Sequence, residues 1–136
     1  MIKRTLQTSQ RTDFIDVTDL VAKAVAEGDF EDGVVTVFVP HTTAAVTINE
    51  GSDPDVVGDM TKSLNRIVPW QNGYLHAEGN AAAHIKASMF GSSVSVIVAG
   101  GELQLGTWQV IWFCEFDGPR QRKLWLQPIT AVAKPL

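Results

Sequence analysis

The chain has 136 residues, 45% of them hydrophobic and 19% charged, which supports one hydrophobic core and therefore a single domain spanning 1–136. A formal net charge of −4 excludes general attraction to nucleic acid or an anionic membrane, and no apolar run approaches the roughly 20 residues of a membrane-spanning helix. The lone Cys114 cannot form an internal disulfide and residues 1–8 lack the apolar core of a secretory signal, so a cytoplasmic protein is expected.

Residues 2–9 alternate weakly and read as a first strand. Phe14, Ile15 and Val17 lead into Thr18 or Asp19 as the N-cap of a short helix from Leu20 to about Glu27, which Gly28 ends. Residues 33–39 are short and rich in β-branched side chains, the pattern of a strand buried on both faces, and Pro40 stops its ladder. Residues 44–49 form another strand, so His41 lies between two strands. Asp53 as N-cap, Pro54 at the first helical position and Asp55 in the first turn open a helix whose apolar stripe is Val56, Val57, Met60, Leu64 and Ile67.

After a turn at 69–73, residues 81–89 are alanine-rich and helical, with Asn80 as cap, Ile85 and Met89 sharing a face, and Gly91 as the stop. Strands then follow at 94–99, 102–105, 107–116 and 122–128, separated by glycine turns that carry no phosphate-binding fingerprint. Along 107–113 both faces bear large side chains, Trp108 and Trp112 on one and Ile111 and Phe113 on the other. That strand is expected between two layers or between subunits, with Gln109 a buried amide. Four Trp and six Phe also exceed what a monomer of this size needs, which points to aromatic surface between subunits. Mixed elements followed by strands predict an α+β fold, a largely antiparallel β-sandwich with flanking short helices.

The three histidines of the chain, His41, His76 and His84, all stand at element boundaries beside polar neighbours. Three neutral imidazoles with an open fourth position are a catalytic zinc arrangement, although these intervals match no local zinc motif. Around Asn49, the carboxylates Glu50, Asp53, Asp55 and Asp59 offer a general base or a Mg²⁺ site. Capping and the helix dipole account for Asp53 and Asp55, and Asp59 one turn later reads as solvated, which leaves Glu50 as the candidate acid or base. The turn at 117–123 carries Arg120, Arg122 and Lys123. Arg120 is the candidate anion binder, Lys86 is placed to reach the same side, and Arg122 and Lys123 read as solvated. Cys114, in mid-strand, reads as a buried inert thiol.

Four ordered blocks carry a resemblance. His41-Thr-Thr-Ala-Ala-Val-Thr-Ile-Asn-Glu50 with Asp53-Pro54, Tyr74-Leu-His76, Ala83-His-Ile-Lys86-Ala-Ser-Met-Phe-Gly91, and Gly106-Thr-Trp-Gln109 before Asp117-Gly-Pro-Arg120 together resemble the YjbQ family, also called the secondary thiamine-phosphate synthase family. The resemblance implies an α+β sandwich assembling as a homotrimer, with sites near subunit boundaries. It implies a divalent metal, zinc being the expected ion, at His41, His76 and His84. The implied activity is weak thiamine-phosphate synthesis, joining a pyrimidine diphosphate to a thiazole phosphate with release of pyrophosphate. Members of the family often carry an acidic residue directly after the second histidine. Here that position is Ala77, and Glu78 would have to orient the imidazole instead.

On this reading Glu50 is the acid or base, Asn49 and Gln109 are orienting amides, and Arg120 and Lys86 neutralise the leaving group. Thr107 and Trp108 contact substrate, with Trp70 or Tyr74 as further stacking candidates. Two other readings compete with it. One is a metal-dependent hydrolase of phosphorylated small molecules; the other is a non-catalytic trimeric module that binds a metal or ligand.

Overall fold

The computed structural model describes residues 1–132, which form eight strands and three helices. The strands are β1 (Ile2–Gln7), β2 (Asp13–Asp16), β3 (Gly33–Phe38), β4 (Ala44–Glu50), β5 (Ser93–Ala99), β6 (Glu102–Leu103), β7 (Gln109–Glu115) and β8 (Gln121–Thr130). The helices are α1 (Thr18–Glu27), α2 (Pro54–Ile67) and α3 (Ala81–Phe90). A five-stranded sheet runs β1-β8-β3-β5-β6 and a three-stranded sheet runs β2-β7-β4, every pairing being antiparallel. The fold is α+β.

Period-two alternation builds the two layers. Val35, Val37, Leu124 and Leu126 of the larger sheet meet Ala44, Val46, Ile111 and Phe113 of the smaller one, with Val21 and Val25 of α1 packed among them. The intervening residues Ala45 and Cys114 face the other way, against Leu64 of α2 and Ala83 and Ala87 of α3. The small alanines let α3 lie close to the sheet. From Ile111 to Glu115, β7 is therefore covered on both faces, as its sequence predicts, and burial pushes the Cys114 thiol far up. Nearer the start of the strand the layers of this chain do not close over it: Trp108 is 63% exposed, and Gln109 is an exposed amide rather than one buried between the two layers.

Local chemistry sets the helix starts. Asp53 caps α2 as predicted, its Oδ1 accepting the Asp55 N–H at 2.9 Å with Pro54 following. At α1 neither Thr18 nor Asp19 is the cap: Val17 holds that position without a side-chain bond, and Asp19 falls in the first turn. Asp16 Oδ1 accepts the Thr18 N–H at 2.9 Å, and Thr18 Oγ1 accepts the Ile111 N–H at 2.9 Å, tying the helix to β7. Asn80 makes no side-chain cap on α3 because its amide is drawn to Asp117. On α3, Ile85 and Met89 face outward and the buried side carries Ala82, Ala83, Lys86 and Ala87. Only Val35 and Val37 of β3 are fully buried, so that strand has one core face rather than two. The first strand stops at Gln7, and β2, too short and acidic to stand out in sequence, adds an edge to the smaller sheet.

Two junctions position the site. The ladder between β3 and β8 ends at Phe38 opposite Trp125, beyond which Val39 donates to Ser92 O at 2.7 Å and Pro40 has no N–H to offer. Between β7 and β8, Gly118 is pressed against the loop after β1: a Cβ there would stand 2.2 Å from Gln10 O and 2.8 Å from Thr8 Oγ1. Only glycine allows that approach.

Candidate functional site

The floor of the site is a buried ion pair. Glu115, the last residue of β7, is fully buried; its Oε1 accepts from Thr8 Oγ1 at 2.8 Å and Arg122 Nε at 2.7 Å. Its Oε2 accepts the Asp117 N–H at 3.1 Å and a bond from Arg122 Nη2. Arg122 Nη2 also donates to Thr43 Oγ1 at 2.8 Å. Taking two charges out of water is costly, and here the cost is offset by filling both carboxylate oxygens with donors. Arg122 Nη1 takes no partner among the described residues, and the residue lines the cleft above.

One wall is built from Asn80, Asp117 and Arg120. Asp117 Oδ2 accepts from Asn80 Nδ2 at 2.9 Å and Arg120 Nη2 at 2.8 Å, while Arg120 Nε donates to Asp117 O at 2.8 Å. Asn80 is 7% exposed, and its Oδ1 is buried without a partner. Reversing the amide would turn that oxygen onto the Asp117 carboxylate, so the orientation is fixed by charge.

The histidines complete the enclosure. His41 follows Pro40, and its Nε2 accepts the Lys123 N–H at 2.8 Å. Burial, aided by the nearby Arg122 charge and opposed by Glu115, lowers its pKa from the ordinary 6.5. His76 lies on the segment before α3 and His84 on the helix itself, their rings edge to face with centroids 5.2 Å apart. All three line one cleft of about 660 Å³ together with Glu78, Asn80, Asp117, Arg120 and Arg122. A second cleft, of about 470 Å³, shares His41, Thr42, His84 and Ser92 with the first and extends along α3 to Ser88.

Residues 2–131 match the family described as UPF0047 protein YjbQ-like. The chain belongs to that family. The UPF0047 protein YugU of Bacillus subtilis is 46% identical over 90% of this chain and 93% of its own length. A UPF0047 protein of Methanocaldococcus jannaschii is 41% identical over 95% of this chain and 94% of its own. The crystal structure of a conserved YjbQ/UPF0047 protein from Clostridium acetobutylicum, 52% identical, superposes with a TM-score of 0.93 over 95% of this chain and 100% of that one.

The cleft of this YjbQ-like protein gathers one set of the residues singled out in sequence and not the other. His41, His76, His84 and Arg120 come together. Lys86 does not. Its position on α3 turns it away from His84, it is 3% exposed, and its Nζ donates to Asn65 Oδ1 of α2 at 2.6 Å. Asn49, Glu50, Thr107, Trp108 and Gln109 lie at the far end of the β4–β7 ladder, where Glu50 pairs with Gln109 while Ala44 pairs with Glu115 near the cleft. Six residue steps at about 3.4 Å separate those ends by about 20 Å. Of the stacking candidates, Trp70 carries Arg11 at 4.2 Å over its ring and Tyr74 Oη donates to Pro69 O at 2.6 Å, neither lining the cleft; Phe38 does line it.

Arg122, read as solvated, is instead buried. The signal for it was the alternation Arg122, Leu124, Leu126, which places all three on the inner face of β8. Asn80 and Asp117 were legible only as a cap and a turn.

Tested against a divalent metal, the donor chemistry fits in part. His76 and His84 stand together at the cleft with ring nitrogens that take no partner among the described residues. No three His, Cys, Asp or Glu side chains among the described residues stand close enough to hold an ion. His76 and His84 supply two ring-nitrogen donors at the cleft, one fewer than the three that a protein-held catalytic ion takes.

Proposed function

We propose that this protein is a cytoplasmic, homotrimeric, metal-assisted enzyme of phosphorylated small molecules, with thiamine-phosphate synthase as its reaction. In that reaction the bond from the pyrimidine methylene carbon to the diphosphate oxygen breaks, the thiazole nitrogen bonds to that carbon, and pyrophosphate leaves. The observation that carries the reading is the convergence of three imidazoles and two guanidinium groups on one cleft from positions scattered between residues 41 and 122.

Arg120 and Arg122 would hold the diphosphate oxygens, Arg120 kept in place by Asp117 and Arg122 by Glu115. Phe38, 38% exposed, offers a flat surface to the pyrimidine ring. His76 and His84 would hold the metal, which when bound supplies Lewis-acid stabilisation of the departing oxygen. Glu50, Asn49, Gln109, Thr107 and Trp108 would act on the cleft of a neighbouring copy in the trimer, since about 20 Å separates them from their own. The test is pyrophosphate release from the two phosphorylated precursors by zinc-loaded protein. Release that disappears in His76→Ala and His84→Ala supports the assignment, and no release from the loaded wild type contradicts it.

A further inference from the structure

His41 stands where β3 parts from β8. In the register of that ladder Phe38 faces Trp125, so the next inward-facing donor of β8 is the Lys123 N–H, opposite Pro40. The ladder has ended there, and the His41 side chain takes over: Lys123 N–H donates to Nε2 at 2.8 Å. A ring nitrogen that accepts an N–H bond holds a lone pair and no proton, so in the neutral imidazole the proton is on Nδ1. Burial and the Arg122 charge both favour the neutral ring. Nδ1 has no protein partner among the described residues and is not one of the buried unpartnered atoms, so it keeps some accessible surface, and His41 lines both clefts.

We propose that His41 is a fixed Nδ1–H hydrogen-bond donor to an anionic substrate oxygen and not a metal ligand, leaving the metal to His76 and His84. A ligating nitrogen must offer a lone pair. That of Nε2 is engaged by Lys123, and Nδ1 carries the proton. Arg122, its charge paired with Glu115 but its Nη1 without a partner among the described residues, lines the same cleft and adds a second N–H donor for an anion there. The identity of the anion rests on the proposed function; the tautomer and the exclusion from the metal do not.

The experiment is long-range ¹H–¹⁵N correlation on protein labelled with ¹⁵N-histidine, assigned with His41→Gln, before and after one equivalent of Zn²⁺. The expected spectrum shows His41 protonated at Nδ1 and unmoved by zinc, while His76 and His84 shift. An Nε2–H tautomer at His41, or a His41 nitrogen that takes the zinc shift, overturns the proposal.

Two variants separate the donor from the strand cap, with inorganic pyrophosphate as probe. His41→Gln places an oxygen near the Nε2 position and keeps the cap, and is expected to weaken pyrophosphate binding about ten- to a hundred-fold without loss of zinc. His41→Asn places its amide near the Nδ1 position and is expected to retain most of the affinity. Equal loss in both variants overturns the donor role. Failure of the wild type to bind pyrophosphate overturns that role and the proposed function together, while the zinc and tautomer readouts still decide whether His41 is a ligand.

Discussion

At the Ala44 end of β4 the polar side chains bond across long stretches of chain: Asn80 to Asp117 over 37 residues, Arg122 to Thr43 over 79, Lys123 to His41 over 82 and Thr8 to Glu115 over 107. At the Glu50 end, apart from the Trp112 indole N–H that donates to Glu50 O, the polar side chains bond to near neighbours, Asn49 to the next residue, Glu50 to Ser52 and Gln109 to Gly106 three back. Both ends are equally polar in sequence. The first set exists only once the fold is complete and fixes groups around a cleft. The second shapes turns and leaves its side chains exposed for something outside the chain to meet.

The contrast is broken most severely at Arg122. Arg122→Met strands the Glu115 carboxylate in the core and is expected to cost about 3–5 kcal/mol, read as a lowered denaturant midpoint. Gln109→Ala at the opposite end is expected to stay within about 0.5 kcal/mol. If the two changes cost the same, the distinction between the ends is lost. Asn80→Ala removes a buried donor from Asp117 and is expected to cost about 1.5–3 kcal/mol, with weaker pyrophosphate binding as Arg120 loosens. Asp53→Ala, a purely local cap, is expected to cost about 1 kcal/mol with the cleft intact.

The smallest effect is in pH. The folded-state pKa of His41 lies below 6.5, chiefly through burial, so as pH falls through 6.5 the unfolded chain takes up a proton that the folded one refuses. Stability from this residue is therefore lost on acidification and levels off below the folded pKa. The stability of the wild type relative to His41→Gln should decline from pH 7 to pH 5. A difference that stays flat or rises would contradict the neutral ring.

What was legible in sequence follows the same division. The α2 cap at Asp53, the buried middle of β7 and the α+β class rest on local pattern, and the structure has them. The four motif blocks marked the family correctly. Asn80 read as a cap because its only visible context was the helix it precedes; Asp117, its true partner, is 37 residues away. Lys86 shares a helix with His84, but a two-residue step on a helix turns a side chain to nearly the opposite face, toward Asn65. Glu50 and Gln109 have the right chemistry for a site; the strand read at 44–49 already sets Glu50 a strand length from His41, whereas the pairing that carries Gln109 to the same far end shows only in the structure.

The central claim, a metal-assisted site seated on His76 and His84, is tested most directly by the zinc content of protein purified without a histidine tag, with His41→Gln, His76→Ala and His84→Ala alongside. About one zinc per chain, retained in His41→Gln and lost in the other two, is the expected result. Wild-type protein that takes up no metal when it is offered, or zinc that survives removal of His76 and His84, would contradict it.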